Sequence, residues 1–175
     1  MYTFAIAATL LFVPFAYPFA PIQMTLIGAV ASGIPGVLLA LEPNFKRVPK
    51  EFIKTVLKRA VLGAATVFAG IMAVLIIGGT AAAKLSYEEI STICTVYTGT
   101  ASLVMLLCTC LPLNKFKAAI VIGSSAFFYG AIGLFENLFM LAPLSNFGRT
   151  VLLCLLPLTL VQLVVRSFQL KKEKP

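Results

Sequence analysis

An uncharged run at residues 24–41 has about the length that crosses a bilayer, yet Gly28, Ser32, Gly33, Pro35 and Gly36 fall inside it. Such a run can only be a membrane helix, and a broken one. Pro35 has no N–H, so the carbonyl about one turn earlier, near Ala31, loses its helical partner, while the glycines let another backbone come close. In hydrocarbon a turn of that kind persists only where neighbouring helices, water or an ion satisfy the freed groups. Residues 31–35 are therefore the first candidate for a transport site, and a proline kink used only for packing is the competing reading.

The rest of the chain is of the same kind. Hydrophobic residues make up 60% of the sequence and charged residues 11%, and the mean hydropathy is +1.01, a combination foreign to a water-soluble core. The net charge of +8 sits in short clusters between apolar runs, which points to an anionic lipid surface and away from nucleic acid. The six acids are Glu42, Glu51, Glu88, Glu89, Glu136 and Glu173, so the chain has no aspartate, and it has no histidine. A phosphorylated aspartate, a Ser-His-Asp triad and histidine ligation are all excluded within it, and no Gly-rich phosphate loop is present. Enzyme chemistry confined to this chain is not expected, and neither is a resident cofactor.

Six spans are expected, at about residues 1–17, 24–41, 60–83, 90–113, 118–141 and 150–165, with a basic loop at 42–59 and a mobile basic tail at 166–175. The fold class is thus an all-α, six-helix transmembrane bundle. Residues 1–17, apolar and interrupted at Pro14, look like half a span, and the lack of a basic flank suggests that Met1 is an interior position of a longer helix. In the loop, Phe52, Ile53, Val56 and Leu57 share one helical side and Lys50, Lys54 and Lys58 another, the pattern of a basic interfacial helix. Ala65, Ala69 and Ala73 make a small-residue packing face in the third span, as do Ala119, Gly123, Ala126 and Gly130 in the fifth.

Two secondary sites are marked by residue type. Glu136 is the one carboxylate inside an expected span and Asn137 is next to it; an intramembrane acid suggests function, and pairing with Arg149 near the interface is the structural alternative. Cys108 and Cys110 are a weak soft-metal candidate, since two residues on a helix face nearly opposite ways unless the helix opens before Pro112. If the loop at 42–59, the turn at 114–117 and the tail share one side of the membrane, 12 of the 14 basic residues lie there. The positive-inside rule then makes both the N-terminal end and the C-terminus cytoplasmic, in a plasma (inner) membrane.

The segment PFAPIQMTLIGAVASGIPGVLLALEPNFKR resembles the sixth transmembrane helix of P-type cation-transporting ATPases, especially the bacterial calcium-pump-like group. Pro21, Gln23, Gly33, Ile34, Pro35, Glu42, Pro43 and Asn44 follow that order. The resemblance implies that the six spans are the fifth to tenth helices of such a pump, its carboxy-terminal membrane portion. It further implies ATP-driven cation transport, Mg-ATP in the full-length parent only, and missing N-terminal helices and cytoplasmic ATPase domains supplied in cis or in trans. Where calcium pumps carry Asn, Thr and Asp before the break, the register from Gly33 gives Gly28, Ala31 and Ser32. Only one hydroxyl and the freed carbonyls remain, so an ion there leans on backbone oxygens and on a fourth helix from elsewhere. The alternative is a freestanding six-span carrier or a non-catalytic scaffold subunit.

Overall fold

The computed structural model describes residues 3, 6–8, 17–41, 52–79, 85–111, 113–135 and 138–173. In order these form α1 (Pro21–Gly28), a π-helical turn (Ala29–Gly33), α2 (Ile34–Ala40), α3 (Phe52–Gly79), α4 (Tyr87–Cys110), α5 (Lys115–Leu134) and α6 (Asn146–Glu173). Among the described residues there is no strand, and five helical stretches are long and apolar enough to cross a membrane, with Pro21–Ala40 counted as one. Most of the expected first span, residues 1–17, lies outside the described residues, but positions 6–8 are helical and Ile6 is fully buried in the core.

The centre of the bundle is α4, which packs against α6, α3, α5, α1 and the π turn. Of its most apolar window 61% is buried, against 22–33% for the other four stretches, so lipid takes most of their surface and protein takes most of α4's. A capping box starts it. Ser86 Oγ accepts from the Glu89 N–H and Glu89 Oε2 accepts from the Ser86 N–H, both at 3.2 Å. The other Glu89 oxygen accepts from the Ser145 N–H at 2.9 Å and ties down the entry to α6.

Several expected boundaries move. The basic interfacial helix is not separate, because α3 begins at Phe52 and runs straight into its span, leaving Ile53, Val56 and Leu57 exposed for lipid. Helix α5 ends at Leu134 rather than 141: the chain turns at residues 138–140, where Met140 has a φ of 53°. The backbone of α6 begins at Asn146 and stays helical to Glu173, through most of the expected mobile tail. The Ala65 and Ala69 face of α3 points outward, while Gly63, Thr66, Val67 and Gly70 face the bundle. On α5, Gly123 and Gly130 have nothing near them.

Met140 is 68% exposed and sits in the left-handed region, which costs a side chain about 1 kcal/mol or more. Met140→Gly is therefore expected to raise stability by about 0.5 kcal/mol after glycine's own entropy is deducted. Denaturant titration in micelles measures this, and a loss of stability would mean that the side chain has a packing role.

Candidate functional site

The proline break becomes a π turn. The Ile34 N–H bonds to the Ala29 carbonyl, five residues back instead of four. Continued in that register, the carbonyl facing Pro35 is Val30's and not Ala31's, a shift of one from the sequence expectation. Extra width of this kind is frequent at functional sites. Val30 and Pro35 are buried, whereas Gly28, Ser32 and Gly33 are exposed and Ala31 is half-buried. A side chain at Gly33 would approach the Gly28 carbonyl at 3.5 Å, so the wide turn keeps its interior close but not clashing.

On one side of this turn lies a cavity of about 450 Å³. The break contributes Ala31 and Ser32, and α2 contributes Gly36 and Leu39. Across from them stand Gly63 and Ala64 of α3, Ser102, Met105 and Thr109 of α4, and Gln162 of α6. Every lining position lies toward the helix ends that lead into the basic segments at 42–59 and 113–117 and into the basic tail. Three of the predicted residues behave differently: Gly28, Gly33 and Pro35 shape the turn but do not line the cavity.

The deepest polar group of the cavity is one that sequence reasoning did not single out. Gln162 is only 3% exposed, and its Nε2 donates to Thr66 Oγ1. Thr66 Oγ1 gives its own proton to the Gly63 carbonyl at 2.9 Å, and the Tyr97 hydroxyl donates to the Thr66 carbonyl at 2.9 Å. With Thr66 donating to Gly63, its oxygen accepts from the Gln162 amide. Its Oε1 is buried without a partner; among the described residues Thr98 Oγ1 shares that state. A polar residue within an apolar span was the available signal, and its partner lies 96 positions away.

A second polar cluster locks the other end of the broken helix. Gln23 is fully buried, and its Oε1 accepts from Ser91 Oγ and Thr95 Oγ1 at 2.9 Å each and from the Ala20 N–H at 3.0 Å. Its Nε2 donates to the Phe139 carbonyl at 3.2 Å. Nearby, the Ala142 N–H bonds Thr92 Oγ1 at 2.9 Å and the Tyr87 hydroxyl bonds the Tyr17 carbonyl at 2.7 Å. Thus α1 is fixed to α4 by saturated hydrogen bonds, and the segment beyond the π turn borders open space.

Glu136 and Asn137 lie outside the described residues, and α5 ends before them at Leu134. Cys108 and Cys110 are both buried in the unbroken last turns of α4. No group of three His, Cys, Asp or Glu residues that could hold a metal ion occurs among the described residues.

Helices of this length and apolarity, one of them broken beside a cavity, define a polytopic integral membrane protein. Over 160 residues, 89% of the chain, the sequence is 27% identical to the probable cation-transporting ATPase exp7 of Streptococcus pneumoniae. The match takes in 20% of that protein, so the chain spans about a fifth of its relative's length. No protein-family model and no solved structure matches the chain. The likeness and the five apolar helices together support the membrane portion of a transporter.

Proposed function

We propose that the chain is the carboxy-terminal membrane portion of a P-type cation-transporting ATPase and that the π turn with its cavity is part of the ion pathway. The observation that carries this reading is the coincidence of the two: Ala31 and Ser32 belong both to the widened turn and to the cavity wall. Freed backbone carbonyls, the Ser32 hydroxyl and the Gln162 oxygen are neutral ligands, suited to a partly hydrated ion in transit. Catalytic aspartate, Mg-ATP and the remaining helices come from the rest of the parent, in cis or as a partner. Both ends of the six-span bundle face the cytoplasm, and the protein sits in the plasma membrane.

An antibody against the tail tests the parentage in source membranes. A band several times heavier than 18.7 kDa is expected. A band at 18.7 kDa with no catalytic subunit attached would leave a freestanding carrier or scaffold instead. The turn itself is tested by Pro35→Ala, which restores an N–H and lets the helix close. Stability is expected to rise by about 1–3 kcal/mol, the scale of the proline penalty, while ATP-driven cation uptake into inverted vesicles falls at least tenfold. Undiminished uptake by a stabilised variant would remove the π turn from the pathway.

A further inference from the structure

We propose that the end of the bundle away from the basic segments carries a binding site for a primary alkylammonium ion, held by the carboxylate of Glu88. The site is separate from the cavity at the π turn and does not depend on the transporter reading.

Three connections meet at that end. Ala20 precedes α1, Tyr87, Glu88 and Ser91 belong to the first turns of α4, and residues 140–142 lie between α5 and α6; together they enclose a pocket of about 390 Å³. Hydrogen bonds fix its walls. The Tyr87 hydroxyl donates to the Tyr17 carbonyl at 2.7 Å, the Ala142 N–H to Thr92 Oγ1 at 2.9 Å, and the Ser91 hydroxyl to Gln23 Oε1 at 2.9 Å.

The same bonds decide what the pocket can hold. A hydroxyl has one proton, and those of Tyr87 and Ser91 are already given to the protein, as are the N–H groups of Ala20 and Ala142. The two hydroxyl oxygens keep only lone pairs to offer. Beside them stands Glu88, exposed and differently placed from its neighbour. Glu89 spends its carboxylate on the Ser86 and Ser145 N–H groups. Among the described residues the Glu88 carboxylate has no hydrogen-bond or ion-pair partner, and only its backbone carbonyl is engaged, by Thr92. A negative charge among acceptors calls for a cation that donates hydrogen bonds.

The rest of the lining says what that cation is attached to. Ala20, Met140, Leu141 and Ala142 are apolar and suit a hydrocarbon chain, and the Tyr87 ring adds its attraction for an ammonium. A hard divalent ion wants several charged oxygens, and Glu88 is the one acid among the described residues that line the pocket.

The test labels the methionine methyls of the chain with ¹³C and places it in phosphatidylcholine nanodiscs, which hold no primary ammonium. Met140 lines this pocket and Met105 the cavity at the π turn, so two methyl signals report on the two places separately. Titration with n-butylammonium at constant ionic strength is expected to shift the Met140 signal saturably and leave Met105 unmoved. Glu88→Gln, an isosteric change at an exposed residue, is expected to weaken binding at least tenfold. Tetramethylammonium, equal in charge but without an N–H, is expected to bind at least tenfold more weakly than butylammonium. Ala142→Leu fills the pocket without touching a charge and is expected to have the same effect, with the remaining methyl signals in place as proof of folding. Unchanged affinity in Glu88→Gln, equal binding of tetramethylammonium, or a saturable shift at Met105 alone overturns the proposal. Lys84, outside the described residues, is the chain's own ammonium nearest in sequence. Tenfold tighter binding in Lys84→Gln would mean that the chain fills its own pocket, and that too overturns it. Nanodiscs of phosphatidylethanolamine separate the two sources of the ligand: tenfold weaker butylammonium binding there identifies the lipid headgroup, and unchanged binding a water-borne amine.

Discussion

Gln23→Leu is expected to destabilise the bundle by about 3 kcal/mol, because it strips a buried acceptor from three donors at once. Ser91 Oγ, Thr95 Oγ1 and the Ala20 N–H all point at one oxygen, and the Phe139 carbonyl loses its amide donor as well. Thr95 has one hydroxyl proton, shared between Gln23 Oε1 and the Ser91 carbonyl at 2.8 Å, so in the variant it passes wholly to Ser91 and the loss stays below the sum of four separate bonds. Denaturant titration in mixed micelles reads the effect, with Thr25→Ala as the comparison. Thr25 is exposed and bonds only to the Ile22 carbonyl within its own turn, so its loss is expected to stay within about 0.5 kcal/mol. Equal effects at the two sites would show that Gln23 does not hold α1 to α4.

The second large effect belongs to Gly99. A Cβ built there would stand 1.9 Å from the Phe128 ring, and Phe128 is 1% exposed with no room to retreat. Gly99→Ala must separate α4 from α5, at a cost of about 3 kcal/mol. Pairing it with Phe128→Leu is expected to recover more than half of that, since the two positions touch and their effects cannot be additive. A double variant as unstable as the sum of the singles would locate the clash elsewhere.

Both sites are instructive about what the sequence makes readable. The apolar runs specify membrane helices, and Gly33 with Pro35 marks the break to within one residue, because backbone chemistry is local. The side of a helix that faces protein is another matter. On α3 the Ala65, Ala69, Ala73 series and the Gly63, Thr66, Val67, Gly70 series both have helical spacing, and the second is the inner one. In water the more apolar face would turn inward, but lipid is as apolar as leucine, so hydrophobicity does not separate inside from outside. The end of α5 was hidden for a related reason: residues 135–141 contain no glycine or proline, and the helix stops where Phe135 leaves the helical region at φ −125° and ψ 40°. The importance of Gln162 depends on Thr66, which no local pattern connects to it.

The hydroxyls of α4 carry a consequence for biosynthesis. Thr92, Thr95, Thr100 and Thr109 each donate to the carbonyl four residues back on the same helix. Hydroxyls that bond back to their own helix in this way cost little in lipid before any neighbour has arrived. The side-chain NH₂ of Gln23 has no such internal acceptor; its partner is the Phe139 carbonyl, which is synthesised 116 residues later. Until that turn emerges from the ribosome, the segment around Gln23 is a poor resident of hydrocarbon. Final seating of the broken helix is therefore a late event, timed by translation of the stretch between α5 and α6.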